Sequence, residues 1–121
     1  MPSPIQNRIG AIFIPVSDME RSVAWYSALL GLPVQVVSHN GKIYDVPMQG
    51  ETSLILDSHK PVCNSSQPLA FFWTDDLVAT YHHLRALEAE FVSQIEDIGS
   101  VSTLIFKDPD HNLLMVCQRN R

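Results

Sequence analysis

The chain has 121 residues, 45% of them hydrophobic and 17% charged, a size and composition that suit one globular domain and exclude a disordered or fibrous protein. A formal net charge of −5 and only eight scattered Lys and Arg residues exclude a basic nucleic-acid-binding face. No apolar run approaches the roughly 20 residues that span a bilayer, and residues 1–8 lack the pattern of a secretion signal, so we expect a cytoplasmic protein.

The predicted elements begin with an apolar strand over residues 11–16 and a helix that runs to Leu30. Ser17 and Glu20 form a capping-box pattern at the helix start, and Gly31 supplies a left-handed stop. The helix carries one apolar stripe at helical spacing, made of Met19, Val23, Tyr26 and Leu30. Three strands are predicted next, with Asn40-Gly41 as a tight turn between the first two: residues 34–38, 42–48 and 52–57.

The second half repeats this order. A strand over residues 69–74 precedes a helix that begins at Asp75 or Asp76 and ends near Glu88, followed by strands over residues 91–95, 101–107 and 112–118. Residues of the first strands and helices match at a spacing of 58, and residues 53–56 match residues 112–115 at a spacing of 59. The sequence therefore predicts one α+β domain with two βαβββ modules, about 5–60 and about 69–121, joined by a linker at 61–68.

Two stretches carry the remaining signal: residues 16–26 followed by Leu30-Gly31-Leu32, and residues 106–114. Both resemble motifs of the vicinal oxygen chelate superfamily, which includes glyoxalase I, bleomycin-resistance protein and extradiol dioxygenase. Residues 16–26, followed by Leu30-Gly31-Leu32, are similar to the family's strand-to-helix entry and helix end. Residues 106–114 are similar to its last hairpin, where the family more often has Gly in place of His111. The resemblance implies that each module curls into a half-barrel and that two half-barrels face each other around a functional cavity.

In metal-dependent members of the family, residues such as His, Glu or Gln on the first and last strands bind a divalent ion. The resemblance places those positions on Ala11, Leu69 and Met115, and the spacing of 59 adds Leu56. None of these side chains offers a donor that a hard metal ion accepts. We therefore expect no metal and no cofactor, and we assign no catalytic residue.

Strand alternation then defines a candidate ligand-binding surface. If Ala11 and Leu69 point inward as their family counterparts do, the alternate residues on the same strands, among them Pro15, also face inward, as Cys117 does on the last strand. The predicted ligand-binding residues are apolar and aromatic: Ala11, Phe13, Leu56, Leu69, Phe71, Trp73, Leu113 and Met115. A flat or cationic ligand could stack on Trp73.

Three functions remain open. The preferred one is a metal-free protein that binds a small apolar or aromatic molecule, like the family's drug-sequestering resistance proteins. The second is a glyoxalase- or dioxygenase-like enzyme with displaced ligands, for which the candidates are His39, Asp45, Asp57 and His59. The third is a structural subunit without a pocket.

We expect a homodimer, because the concave faces carry too much apolar area to remain open. We also expect both cysteines to be free thiols. The helix residues His82 and His83 are expected to be solvated.

Overall fold

A computed structural model describes residues 2–35 and 41–120. The order of elements is β1 (Ala11–Pro15), α1 (Met19–Leu30), β2 (Ile43–Val46), β3 (Ser53–Asp57), β4 (Phe71–Trp73), α2 (Leu77–Ala86), β5 (Glu90–Phe91), β6 (Glu96–Asp97), β7 (Val101–Lys107) and β8 (Leu113–Arg119). This order confirms the predicted α+β class. In the described part of the chain, neither helix is long and apolar enough to cross a bilayer.

Local residues set the start of both helices and the end of α1. The N-cap of α1 is Asp18, whose carboxylate accepts a hydrogen bond from the Arg21 backbone N–H at 3.1 Å. The predicted capping box at Ser17 is therefore wrong by one residue. Gly31 ends α1 with a φ of 68°, a left-handed conformation that glycine adopts without steric cost. Asp76 caps α2 in the same way as Asp18 caps α1, by accepting from the Ala79 N–H at 3.0 Å.

The strands form two sheets with the same internal plan. The first sheet has the order β1-β3-β2, and the second has the order β4-β8-β7-β5, with β6 also paired to β7. In each sheet, the strand before the helix pairs in parallel with the last strand of its module. Phe13 is in register with Ile55 and Phe71 with Met115, so equivalent residues of the last strands are 60 apart, not the predicted 59.

Two predicted strands differ from the structure. The strand expected over residues 91–95 is replaced by the two-residue strands β5 and β6, because the backbone N–H groups of Val92 and Ser93 both donate to the Ile105 carbonyl, at 2.9 and 3.3 Å. Two residues facing one partner form a bulge, which interrupts the pairing. In the strand expected over residues 34–38, Val34 and Gln35 are not in a strand, and residues 36–38 lie outside the described residues, as do His39 and Asn40.

A single core lies between the helices and the sheets. Residues from both modules are fully buried in it, including Ile14, Tyr26, Leu56, Leu84, Phe106 and Leu114. The Trp25 ring of α1 also packs against the Phe106 ring of β7, with centroids 6.3 Å apart. Because one core serves both modules, each module stabilises the other.

Candidate functional site

Strand alternation gives each sheet two faces of different character. On the covered face, which the helices pack against, Leu114 and Val116 of β8 are 0% and 5% exposed. On the opposite, open face, Phe71 and Trp73 of β4 are 48% and 51% exposed. Side chains of this size are normally well buried in a globular protein. The open face is therefore the part of the fold that is left without a protein partner within the described chain.

The open face of the second sheet brings together five of the predicted site residues. Phe71 is in register with Met115, and the Leu69 backbone N–H donates to the Leu113 carbonyl at 2.9 Å. The Phe71 and Trp73 rings contact edge to face, with centroids 5.0 Å apart and an interplanar angle of 87°. This geometry is the favoured one for an aromatic pair. The resulting surface is apolar and aromatic, as the sequence predicts.

Arg119 adds a positive charge to this surface. Its guanidinium lies over the Trp73 indole, with Cζ 3.8 Å from the ring centroid. The contact follows from alternation, because Arg119 is two residues beyond Cys117, which is in register with Trp73. Sequence analysis missed this residue, although the alternation that selects Met115 and Cys117 reaches Arg119 at the next step.

Two sulfur-containing residues lie on the strand next to the aromatic pair, with Met115 in register with Phe71 and Cys117 in register with Trp73. The Cys117 thiol donates to the Met115 Sδ atom, with the two sulfurs 3.4 Å apart. Burial raises the pKa of the Cys117 thiol, so the group stays protonated and uncharged at neutral pH. Cys117 is buried and Cys63 exposed, and both are free, as predicted. The sulfur pair thus adds polarizable, uncharged packing within the second sheet, where the Cys117 thiol is itself buried.

On the first sheet, one predicted residue lies on the wrong face. Ala11 and Phe13 are on the open face, where Phe13 is 57% exposed. Leu56 is in register with Ile14 and fully buried with it on the covered face. Ile55 holds the open-face position instead, in register with Phe13. The assignment of Leu56 is corrected because a shift of one residue moves a side chain to the other face of a sheet.

The positions that would hold the family's metal ion do not fit one. Ala11, Leu69 and Met115 provide no oxygen or nitrogen donor, and Ile55, which replaces Leu56 at the fourth position, provides none either. A hard divalent ion requires several such donors. Among residues 2–35 and 41–120, no three His, Cys, Asp or Glu side chains are grouped so that they could hold an ion.

The other candidates for a displaced site form at most a pair. The Asp57 carboxylate accepts from the His59 backbone N–H at 2.8 Å and lies 3.2 Å from His59 Nδ1. Asp45 is exposed and in register with Ile55 on the neighbouring strand. His39 lies outside the described residues. The Asp57 carboxylate bonds a backbone N–H two residues further on, which is a local turn at the end of the strand. This turn explains the carboxylate–imidazole pair.

His83 is not simply solvated, as its helix position suggested. Its Nε2 atom lies 3.0 and 3.1 Å from the carbonyl oxygens of Ala28 and Leu29 in the last turn of α1. A donor at this position satisfies carbonyls that have no partner within the helix. His82 packs against Tyr81 of the same helix, with ring centroids 5.5 Å apart. His83 therefore connects the two helices and does not point to catalysis.

A buried carboxylate, Asp108, joins the last hairpin to α1. It is 4% exposed and accepts from the Tyr26 hydroxyl at 2.7 Å and from the backbone N–H groups of Asp110 and Asn112, both at 2.9 Å. Burial, and then the neighbouring Asp108 charge, raises the pKa of the Tyr26 hydroxyl. Tyr26 therefore remains a hydrogen-bond donor to Asp108.

Asp110 continues this junction toward the helix start. Its carboxylate accepts from the Ser17 backbone N–H at 3.1 Å and from the Ser17 hydroxyl, and it forms an ion pair with Arg21 at 3.1 Å. Ser17 thus binds across modules instead of capping its own helix. The sequence predicts a hairpin over residues 106–114 but not these contacts. Since every group here is used in holding the modules together, the junction is structural.

Two depressions open on the surface away from the junction. One, of about 400 Å³, lies between the helices and the edge of β4, with Leu29, Leu30, Phe72, Ala79, Thr80 and His83 among its lining residues. The other, of about 640 Å³, lies where β4 and β8 end, and its lining residues are Thr74, Asp75, Gln118, Arg119 and Asn120. The second depression adjoins the open face through Arg119.

The fold and the open face together define a class: a two-module half-barrel protein with an apolar, aromatic sheet face and no hard-metal donors at the equivalent positions. The sequence matches the Glyoxalase/Bleomycin resistance protein/Dioxygenase superfamily over residues 8–116, and the chain belongs to this superfamily. The resemblance seen in the sequence is thereby confirmed. No protein of curated function matches the sequence.

Solved structures share the fold across the whole chain. TnmS3, an antibiotic binding protein from Streptomyces sp. CB03234, is 21% identical with a TM-score of 0.78, over 98% of this chain and 100% of that one. A glyoxalase/dioxygenase from Nostoc punctiforme is 14% identical with a TM-score of 0.76, over 100% and 99%. A lactoylglutathione lyase from Agrobacterium tumefaciens is 17% identical with a TM-score of 0.71, over 94% and 95%. At these identities the likeness shows the fold.

Proposed function

We propose that this protein binds a small apolar or aromatic molecule on the open face and that it needs no metal ion to do so. The observation that carries the proposal is the half-exposed aromatic pair Phe71 and Trp73, in edge-to-face contact on the face opposite the helices. Since the covered face already fills the core, these rings contribute little to it. A flat ligand that covered them would remove apolar surface from water, at about 25 cal/mol per Å².

The proposed site residues are the predicted set with one replacement. We assign ligand contact to Ala11, Phe13, Leu69, Phe71, Trp73, Leu113 and Met115, and to Ile55 in place of Leu56. The likeness to an antibiotic binding protein supports binding as a function that this fold can serve. The likeness to a lactoylglutathione lyase supports the alternative, a metal-dependent enzyme. We favour binding because the donor atoms for a hard metal are missing from the equivalent positions.

We further propose that two chains pair so that their open faces enclose the ligand. Within one described chain, the open face leaves Phe13, Phe71 and Trp73 about half exposed. Exposed apolar surface of this kind marks an interaction site, and closure by a second copy is the commonest solution. In this proposal the whole chain acts as one cytoplasmic domain, with its two modules meeting at residues 61–68.

Trp73→Ala tests the binding site. Loss of one stacking surface should weaken binding by roughly 1 to 3 kcal/mol while leaving the dimer intact. Val78→Ala is the matched control, since Val78 is an apolar side chain of α2 that is 61% exposed on the helical side. A ligand is first found by a thermal-shift screen of aromatic antibiotics, catechols, thiol conjugates and divalent ions. Unchanged affinity in the Trp73 variant contradicts the proposed site.

Two further measurements separate the alternatives. Adding EDTA should leave the melting temperature unchanged. Freshly purified protein should carry no stoichiometric metal. A bound ion that is lost on mutation of a named residue would favour the enzyme instead. Sedimentation should show a dimer at micromolar concentration. A monomer under those conditions contradicts the paired arrangement.

A further inference from the structure

We propose that the molecule bound on the open face is an aromatic anion, such as an aromatic carboxylate, and that Arg119 selects it. This inference rests on the proposed function and adds the chemical class of the ligand. The sequence alone favours a flat or cationic ligand on Trp73. The structure favours the opposite charge, because the guanidinium of Arg119 already lies over that indole ring, with Cζ 3.8 Å from its centroid.

The way in which Arg119 contacts Trp73 leaves its hydrogen-bonding groups available. A guanidinium stacks through its flat face, whereas its five N–H donors lie in its plane. Stacking therefore holds the group in place without using the donors. Within the described residues, no carboxylate oxygen lies within ion-pairing distance of Arg119. The other cation on β7 and β8, Lys107, is instead neutralised by Glu90 at 3.1 Å.

The surroundings of Arg119 suit a ligand with one apolar and one anionic end. On one side lie Phe71, Trp73 and Met115, which offer an apolar and aromatic surface. On the other side is the depression of about 640 Å³ at the ends of β4 and β8, lined also by Thr74, Gln118 and Asn120. A planar carboxylate matches the fork of a guanidinium with two parallel hydrogen bonds.

One acidic residue, Asp75, lines the same depression and limits which anions can bind. An anion that reached across the depression would meet this carboxylate and be repelled. A compact carboxylate held at Arg119, with its ring on the aromatic pair, avoids it. The arrangement therefore favours a small aromatic acid over a polyanion.

The test uses three probes of equal ring size: 2-naphthoate, neutral 2-naphthamide and a cationic 2-naphthyl trimethylammonium salt. Each is titrated into the full chain at low ionic strength, and the two indole N–H signals are followed by NMR. Trp73 reports the open face. Trp25, which packs against Tyr26 and Phe106, is the internal control. We expect naphthoate to shift the Trp73 signal and to bind about five- to tenfold more tightly than naphthamide.

Arg119→Gln should abolish this preference by weakening naphthoate binding about five- to tenfold more than naphthamide binding. Arg85→Gln is the matched control, because it removes the same charge from another arginine over an aromatic ring, with Cζ 5.9 Å from the Tyr81 centroid on α2; it should leave the preference intact. Equal binding of naphthoate and naphthamide, tighter binding of the cation, or a preference that survives in Arg119→Gln overturns the inference while the proposed function stands. If no probe shifts the Trp73 signal, both are overturned.

Discussion

The covered and open faces of the two sheets are built from the same strands but differ in what completes them. On the covered face, Ile14, Leu56 and Leu114 are fully buried by the helices. On the open face, the alternate residues Phe13, Phe71 and Trp73 are about half exposed. The helices of the same chain therefore bury the covered face. The open face, where the chain leaves large aromatic side chains uncovered, is therefore the candidate site of function.

Two neighbouring residues of β3 should show the largest difference between the covered and open faces. Leu56→Ala should lower the free energy of unfolding by about 2–5 kcal/mol, because it leaves a cavity in the core. Ile55→Ala, on the open face, should cost only about 1 kcal/mol. Chemical denaturation at one fixed protein concentration measures both. An equal or reversed pair of values would mean that the strand is in the other register.

The buried junction around Asp108, between the last hairpin and α1, should be nearly as sensitive to substitution. Asp108→Asn removes a charge that accepts from Tyr26 and from backbone donors, and it should cost about 2–4 kcal/mol. The melting temperature and the free energy of unfolding check this. Glu51→Gln is the control, since Glu51 forms an exposed ion pair with Arg8, which contributes little to stability. A small loss for Asp108→Asn would show that the junction does not hold the modules together.

The same junction predicts a loss of stability at high pH. The pKa of Tyr26 is raised in the folded protein, first by burial, so above about pH 10 the unfolded chain loses this proton and the folded chain keeps it. Stability from this group is complete below pH 10 and falls as the pH rises further. Between pH 9 and pH 11, the wild type should lose about 1 kcal/mol more than Tyr26→Phe. Parallel losses in the two proteins contradict the role given to Tyr26.

The smallest expected effect is at the tip of the last hairpin. His111 has a φ of 66°, a left-handed conformation in which a side chain costs energy and glycine does not. His111→Gly should therefore raise the free energy of unfolding by about 0.5–1 kcal/mol. The exposed contact of His111 with Glu90, at 3.9 Å, contributes little. A loss of stability in this variant would show that the side chain has a role that the turn geometry does not reveal.

Features set by neighbouring residues, such as helix ends, could be predicted from the sequence. Features set by strand pairing could not. The stop at Gly31 and a cap at Asp75 or Asp76 depend on a few neighbouring residues, so the pattern alone predicts them, and the structure assigns the cap to Asp76. The face of Leu56 depends on pairing with β1, where the count from the repeat was off by one residue.

Two other features lay beyond local pattern for the same reason. The hydrogen bond from Tyr26 to Asp108 spans 82 residues and joins two modules. The position of Arg119 over Trp73 joins strands that are more than 40 residues apart in the sequence. Most of the apolar open face could be predicted from alternation, which also reaches Arg119, whereas the contact of Arg119 with Trp73 depends on the register between β4 and β8.

Binding of a small aromatic molecule on the open face is the property from which the other proposals follow. Methionine methyl groups test it directly, because Met115 lies on that face and Met19 lies in α1 against the core. The protein is labelled with ¹³C at the methionine methyls and titrated with neutral 2-naphthamide, so that the result does not depend on charge. We predict that the Met115 signal shifts with saturation and that the Met19 signal does not. A shift of Met19 with no change at Met115 would place the ligand elsewhere and contradict the account.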